Sequence, residues 1–140
     1  MAFTGNYSCN TLRSGLMDGT INFATDTFYL ALYTNAATLD QTTTAYTATG
    51  EASGGDYSPT GTQVTATVST ATTTNGSITY VNFSSPSWTG EITARGALIY
   101  KPGDNGAVCV LDFGADKTST NTFTVQMPSN TSTSALLRLI

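Results

Sequence analysis

The chain has 140 residues, a net charge of −4 and only 10% charged side chains, well under the roughly 25% of ordinary globular domains. That length suits one domain around one core, and the five basic residues (Arg13, Arg95, Lys101, Lys117, Arg138) are too scattered for the counterion release that drives nucleic-acid binding. Threonine, about a fifth of the chain, fills the place of charge; its branched Cβ suits a pleated surface and disfavours a helix, so an all-β protein is expected.

The opening Met1-Ala2-Phe3-Thr4-Gly5 lacks the basic and apolar regions of a secretory leader. Synthesis in a cytosol is therefore expected, with a short strand over residues 2–7. Residues 8–18 carry the one helical pattern, with Ser8 as the expected cap, Cys9, Leu12, Leu16 and Met17 on its apolar face, and Gly19 as its stop. From Asp26 the period falls to two. Phe28, Leu30 and Leu32 alternate with Tyr29, Ala31 and Tyr33, a strand apolar on both faces and so central.

Residues 35–61 contain no strand pattern, and a loop of this length is unusual in a compact domain. It carries Leu39, Tyr46 and Tyr57, which fit either an arm packed on a neighbouring subunit or a loop folded over its own sheets. Residues 62–70 alternate, with Val64, Ala66 and Val68 expected inward. Asn75-Gly76 is a type I′ hairpin signal leading into a strand at 78–83. Further strands are expected at 91–100, 107–113, 121–127 and 135–140, with turn chemistry over Lys101-Pro102-Gly103-Asp104-Asn105-Gly106. About eight short strands punctuated by turns predict a jelly-roll-like antiparallel β-sandwich with one short N-terminal helix, in a single domain over residues 1–140. Seven Tyr, six Phe and one Trp argue for a folded core over disorder. No apolar run approaches the ~20 residues that a membrane-spanning helix needs.

The absence of His removes imidazole acid–base chemistry, His-activated nucleophiles and His-ligated zinc. Cys9 and Cys109 are too few for a Cys-only metal site and are expected as buried thiols in a reducing compartment. The acidic residues Asp26, Glu51, Asp56, Glu91, Asp112 and Asp116 mostly adjoin turns, where Asp bonds its own backbone. Asp104, Asn105, Asp112 and Asp116 offer hard oxygen ligands, but in no EF-hand spacing. The expectation is no enzyme, no catalytic residue, no metal and no cofactor. Trp88 is either a sugar-stacking platform or a core aromatic beside Ser85-Pro86-Ser87. Arg95 lies mid-strand before Gly96, a residue that signals a bulge or close backbone approach. It is a candidate to pair across a subunit boundary or within the chain.

Four segments carry a resemblance: Met1-Ala2-Phe3-Thr4-Gly5, the run from Asp26 to Asn35, Ile92-Thr93-Ala94-Arg95-Gly96-Ala97-Leu98-Ile99-Tyr100, and Leu111-Asp112-Phe113-Gly114-Ala115-Asp116-Lys117-Thr118. In order and spacing the chain resembles small virion-associated proteins of tailed bacteriophages, over nearly its whole length. These segments are fold signatures and transfer no active-site residue. The resemblance implies a capsid cement or decoration subunit, a β-sandwich gathered as a homotrimer on the shell. Its partners would be itself and other virion proteins such as the major capsid protein, with no nucleic acid and no membrane. It would be made in the host bacterial cytoplasm and located in the virion. Edge strands and the 35–61 segment would supply the contacts. One alternative is a tail, fibre or baseplate component with a host glycan as candidate ligand. A second is a stand-alone carbohydrate- or calcium-binding β domain.

Overall fold

A computed structural model describes residues 3–139. The expected strand positions at residues 2 and 140 lie outside the described residues. In chain order the elements are β1 (Tyr7–Ser8), α1 (Asn10–Asp18), β2 (Phe28–Tyr33), β3 (Thr62–Val64), β4 (Ala66–Thr73), β5 (Gly76–Phe83), β6 (Ser87–Thr89), β7 (Thr93–Tyr100), β8 (Ala107–Thr118), β9 (Thr122–Thr124) and β10 (Leu137–Leu139). The protein is mostly β, and every strand pairing is antiparallel.

The largest sheet has the order β1-β8-β7-β2-β3. Its β2 strand is paired on both sides, with Leu30 opposite Ile99 of β7 and Thr62 of β3, which explains a run apolar on both faces. One face presents Phe28, Leu30, Leu32, Ala97, Ile99 and Val108 to a core that also holds Val81 and Phe83 of β5, Trp88 of β6 and Phe123 of β9. The rings of Phe23, Phe28 and Phe83 meet there at centroid distances of 5.3–6.0 Å, two of the three pairs edge to face. The opposite face presents Ala31, Tyr33, Leu98, Tyr100 and Val110 to Phe3, Cys9, Ala37 and Leu39. The sheet is thus covered on both sides, by strands on one and by the long loop on the other.

Helix α1 ends at Gly19 as expected but departs from the expected pattern at its start and on its apolar face. Cys9, not Ser8, occupies the cap position with extended backbone and no side-chain cap bond. Ser8 is drawn into β1, opposite Cys109, and its hydroxyl accepts from Arg13 at 3.0 Å. The buried face is Thr11, Leu12 and Gly15, while Leu16 and Met17 are exposed. The reason is the return of the chain after Gly19, whose φ of +81° ends the helix. Ile21 packs so closely on Gly15 that an added Cβ would stand 2.7 Å from it.

The strand expected over 62–70 is two strands. At Thr65 the chain turns a corner, held by the Ser84 hydroxyl accepting the Thr65 N–H and by the Ser84 N–H donating to the Thr65 carbonyl, each at 2.9 Å. β3 joins the five-stranded sheet, and β4 joins a second sheet of order β10-β5-β4. The β4–β5 hairpin closes on the pair Thr73–Gly76, one residue earlier than expected, and neither Asn75 nor Gly76 has positive φ. This register sets small Ala66 opposite Phe83, whose ring already packs on Phe23 and Phe28. A third sheet pairs β6 with β9, placing Trp88 against Phe123.

Candidate functional site

The 35–61 segment contains no strand, only a bridge between Glu51 and Tyr33. Its backbone is tied to its own domain at five places. Gln41 accepts from Asn10, Thr44 from Ala107 and Gly50 from Thr34, while Ala52 donates to Leu32 and Asp56 to Thr89. Buried backbone groups need such partners in a loop as much as in a sheet. Leu39 is fully buried against the five-stranded sheet, and Tyr57 is buried in the opposite core, its ring 5.4 Å from Trp88. Tyr46 is half-buried and stacks on Tyr100 at 5.3 Å.

Glu51 organises this segment. Its carboxylate accepts from the Tyr46 hydroxyl at 2.5 Å, the Tyr57 hydroxyl at 2.6 Å and the Thr60 N–H at 2.9 Å. Burial, then the hydrogen bond to Glu51, pushes the Tyr46 phenol up to about 12; burial and the charge of Tyr46 push Tyr100 up to about 12. Tyr33 donates to the Thr47 carbonyl at 2.7 Å, and burial raises its phenol as well. These tyrosines remain neutral donors at physiological pH, serving as staples between loop and sheet.

The remaining candidates are also used within the chain. Trp88 is 5% exposed, which withdraws it as a sugar platform. Arg95 donates through Nε to Asp112 at 3.1 Å, an intramolecular pair with both side chains mostly covered. β8 bulges beside this pair: Ala94 faces Lys117 and Gly96 faces Asp112, leaving four residues of β8 opposite Arg95 alone. Burial opposes ionisation of Asp112, but the Gly114 N–H and the Arg95 guanidinium outweigh it and hold the carboxyl below its usual range. The proposed calcium donors are strung along β8, Asp104 before its start and Asp116 near its end, so they do not converge. Among the described residues no cluster of acidic, Cys or His side chains is arranged to hold a metal. Asp26 pairs with Lys101 at 3.0 Å and Asp56 accepts from Thr89 at 2.7 Å, each a fold contact.

What the body leaves open is the three-stranded sheet. Val68, Thr79, Val81, Leu137 and Leu139 share one face and, with Leu12, Leu16, Ile21 and Phe23, line a groove of about 650 Å³. Leu16, Val68 and Leu139 are 39%, 46% and 68% exposed, so three of the four exposed large apolar side chains among the described residues gather here. Apolar side chains that gather in this way mark contact surfaces more often than scattered ones do. Sequence reasoning placed Val68 in the core, because alternation alone does not show where a sheet outruns its covering. No helix among the described residues is long and apolar enough to cross a membrane. Compared with known proteins, the chain matches no family model, no curated protein and no solved structure.

Proposed function

We propose that the protein is a structural subunit of a tailed-bacteriophage particle, a cement or decoration protein that binds the capsid surface and stiffens the shell. The resemblance of four segments motivates this reading, and the observation that carries the assembly part of it is the open apolar groove on the three-stranded sheet. The acidic side chains with the strongest claim to chemistry, Glu51, Asp26, Asp56 and Asp112, are bound into fold contacts, which favours a binding role over a catalytic one. A jelly-roll-like sandwich is the architecture this reading assumes.

Its mechanism is mechanical. The groove and the sheet edge beside it cover apolar surface and add strand hydrogen bonds between neighbouring subunits, raising the free energy of shell rupture. Because the groove's lining is mostly apolar, with Arg13 and Arg138 its only charged side chains among the described residues, binding should depend weakly on ionic strength. Immunogold labelling of intact particles from a phage that encodes this chain tests the reading. Label over the head is expected; label confined to the tail would replace the cement role with a tail or baseplate one. Absence from intact particles would overturn both.

A further inference from the structure

We infer that β4 is a self-pairing edge, through which two copies of this chain join across a two-fold axis into one continuous six-stranded sheet. This deepens the edge contact of the proposed assembly role, and its test, the mass in solution, is separate from the test of location in the virion.

β4 is the terminal strand of its sheet, paired on one side only, with β5. The Thr65–Ser84 backbone bond fixes the phase of that ladder: Thr67, Ser69, Ala71 and Thr73 direct their N–H and C=O groups at β5. The N–H and C=O groups of Ala66, Val68, Thr70 and Thr72 therefore point away from the sheet, and among the described residues none of them has a backbone or side-chain partner. The ladder runs from Ala66 to Thr73 without a register shift. Natural edges are usually blunted by charge, proline or a bulge, and over these eight residues, Ala-Thr-Val-Ser-Thr-Ala-Thr-Thr, β4 carries none of the three.

The pattern of free groups selects a second copy as the occupant. When β4 lies antiparallel to its own copy with Ser69 on the axis, Ala66 faces Thr72 and Val68 faces Thr70, twice over. All four outward residues of each copy then sit in hydrogen-bonded pairs, giving eight N–H···O bonds. No charge meets its like, because the strand has none. Val68, 46% exposed in the single chain, is covered by the neighbouring strand on the groove side of the sheet. The other free edge, β10, offers only three residues and so matches at most a fraction of the β4 groups. A closed trimer built through β4 would pair it with a different edge of the next copy, and within this sheet the two-fold pairing satisfies more of the β4 groups than β10 does.

The register gives a ruler. Ser69 meets Ser69 in a non-hydrogen-bonded pair, where Cα atoms stand about 4.5 Å apart, within the range a disulfide spans. Thr67 lies four residues from its own copy along the strands, roughly 13 Å away and out of reach. The test uses the full chain. Light scattering up to millimolar concentration should show the mass rising toward twice the 14.6 kDa of the chain. Val68→Lys, which sets two ammonium groups near the axis, and Thr70→Pro, which removes an outward-pointing N–H and the exposed hydroxyl contact to Thr79, should both stay at the single-chain mass. With oxidised glutathione accepting the two electrons as two thiols lose their protons, Ser69→Cys should cross-link into dimers at least tenfold faster than Thr67→Cys. A single-chain mass throughout, a trimer mass, or equal cross-linking of the two cysteine variants would each overturn the proposal.

Discussion

The hydroxyl of Tyr57 donates to the Glu51 carboxylate at 2.6 Å while its oxygen accepts the Leu32 N–H at 2.9 Å, so one side chain joins the long loop to the central strand β2. The Leu32 bond is buried, and Glu51 gathers two further donors from the same loop. The 35–61 segment is therefore held by a short polar network on top of the apolar anchors Ala37 and Leu39.

Replacing Tyr57 by Phe keeps the ring against Trp88 and removes only the hydroxyl. The Leu32 N–H is then buried without an acceptor, a loss of about 1–3 kcal/mol. Chemical denaturation should show that decrease with an unchanged m-value. Glu51→Gln should cost less than Tyr57→Phe, because its amide oxygen still accepts and no buried backbone group is orphaned. Equal stability of Tyr57→Phe and the parent would refute the staple.

How far the sequence revealed this arrangement depends on the kind of signal. β2 was legible because burial on both faces writes a continuous apolar run, and β7 and β8 because turn residues separate them. The corner at Thr65 was not legible, since alternation continues through it while the chain changes sheet. β6 was missed because three residues around Trp88 are too short to show a period. The exposed rim of the groove, Leu16 of α1 and Val68 of β4, read as core for the same physical reason: periodicity reports which residues share a face, and only the tertiary arrangement says whether that face is covered. Tyr46, Tyr57, Leu39, Trp88 and Arg95 stand out in the sequence as candidate contact residues, and each meets a partner inside the chain.

Gly96 is a close-approach glycine. A Cβ there would stand 2.4 Å from the Phe3 ring and 2.5 Å from the Leu111 carbonyl oxygen. Since both the ring and the β8 backbone would have to move, Gly96→Ala should destabilise the fold by about 1–3 kcal/mol, in the range of overpacked cores. Gly76→Ala, with nothing within 4 Å of the added atom, is the control and should shift stability by less than about 0.5 kcal/mol. Thermal melts of the two variants side by side would reverse the assignment if they fell equally.

Stability should fall at both ends of the pH scale, for opposite reasons. In acid, Asp26 is held below its usual range by the Asn22 N–H and by Lys101, and Asp112 by Gly114 and Arg95 against its burial. Groups with lowered native pKa stabilise above their unfolded value near 4 and lose that contribution as pH falls through the native one. In base, Tyr46 and Tyr100 are raised to about 12. Their contribution is complete below the unfolded value near 10 and is lost as pH climbs toward 12. Denaturation midpoints across pH should thus be flat between about 5 and 9 and decline outside it, and Tyr46→Phe should soften the alkaline limb alone.

Cys9, at the cap of α1, and Cys109, in β8 opposite Ser8, are free thiols and both buried. Burial, with the Asp40 carboxylate adding to it, pushes the Cys9 thiol up to about 11, and burial pushes Cys109 up further. The thiolate is the reactive form, so at neutral pH neither residue should react with an aromatic disulfide reagent in the folded protein. Both should react at once in denaturant. The rate in native buffer then reports opening of the core where β1 meets β8, and it should rise in Gly96→Ala, because Phe3, displaced by the new methyl group, packs in the same cluster as Cys9. Rapid labelling of either cysteine in the unmodified folded chain would contradict the burial on which this rests.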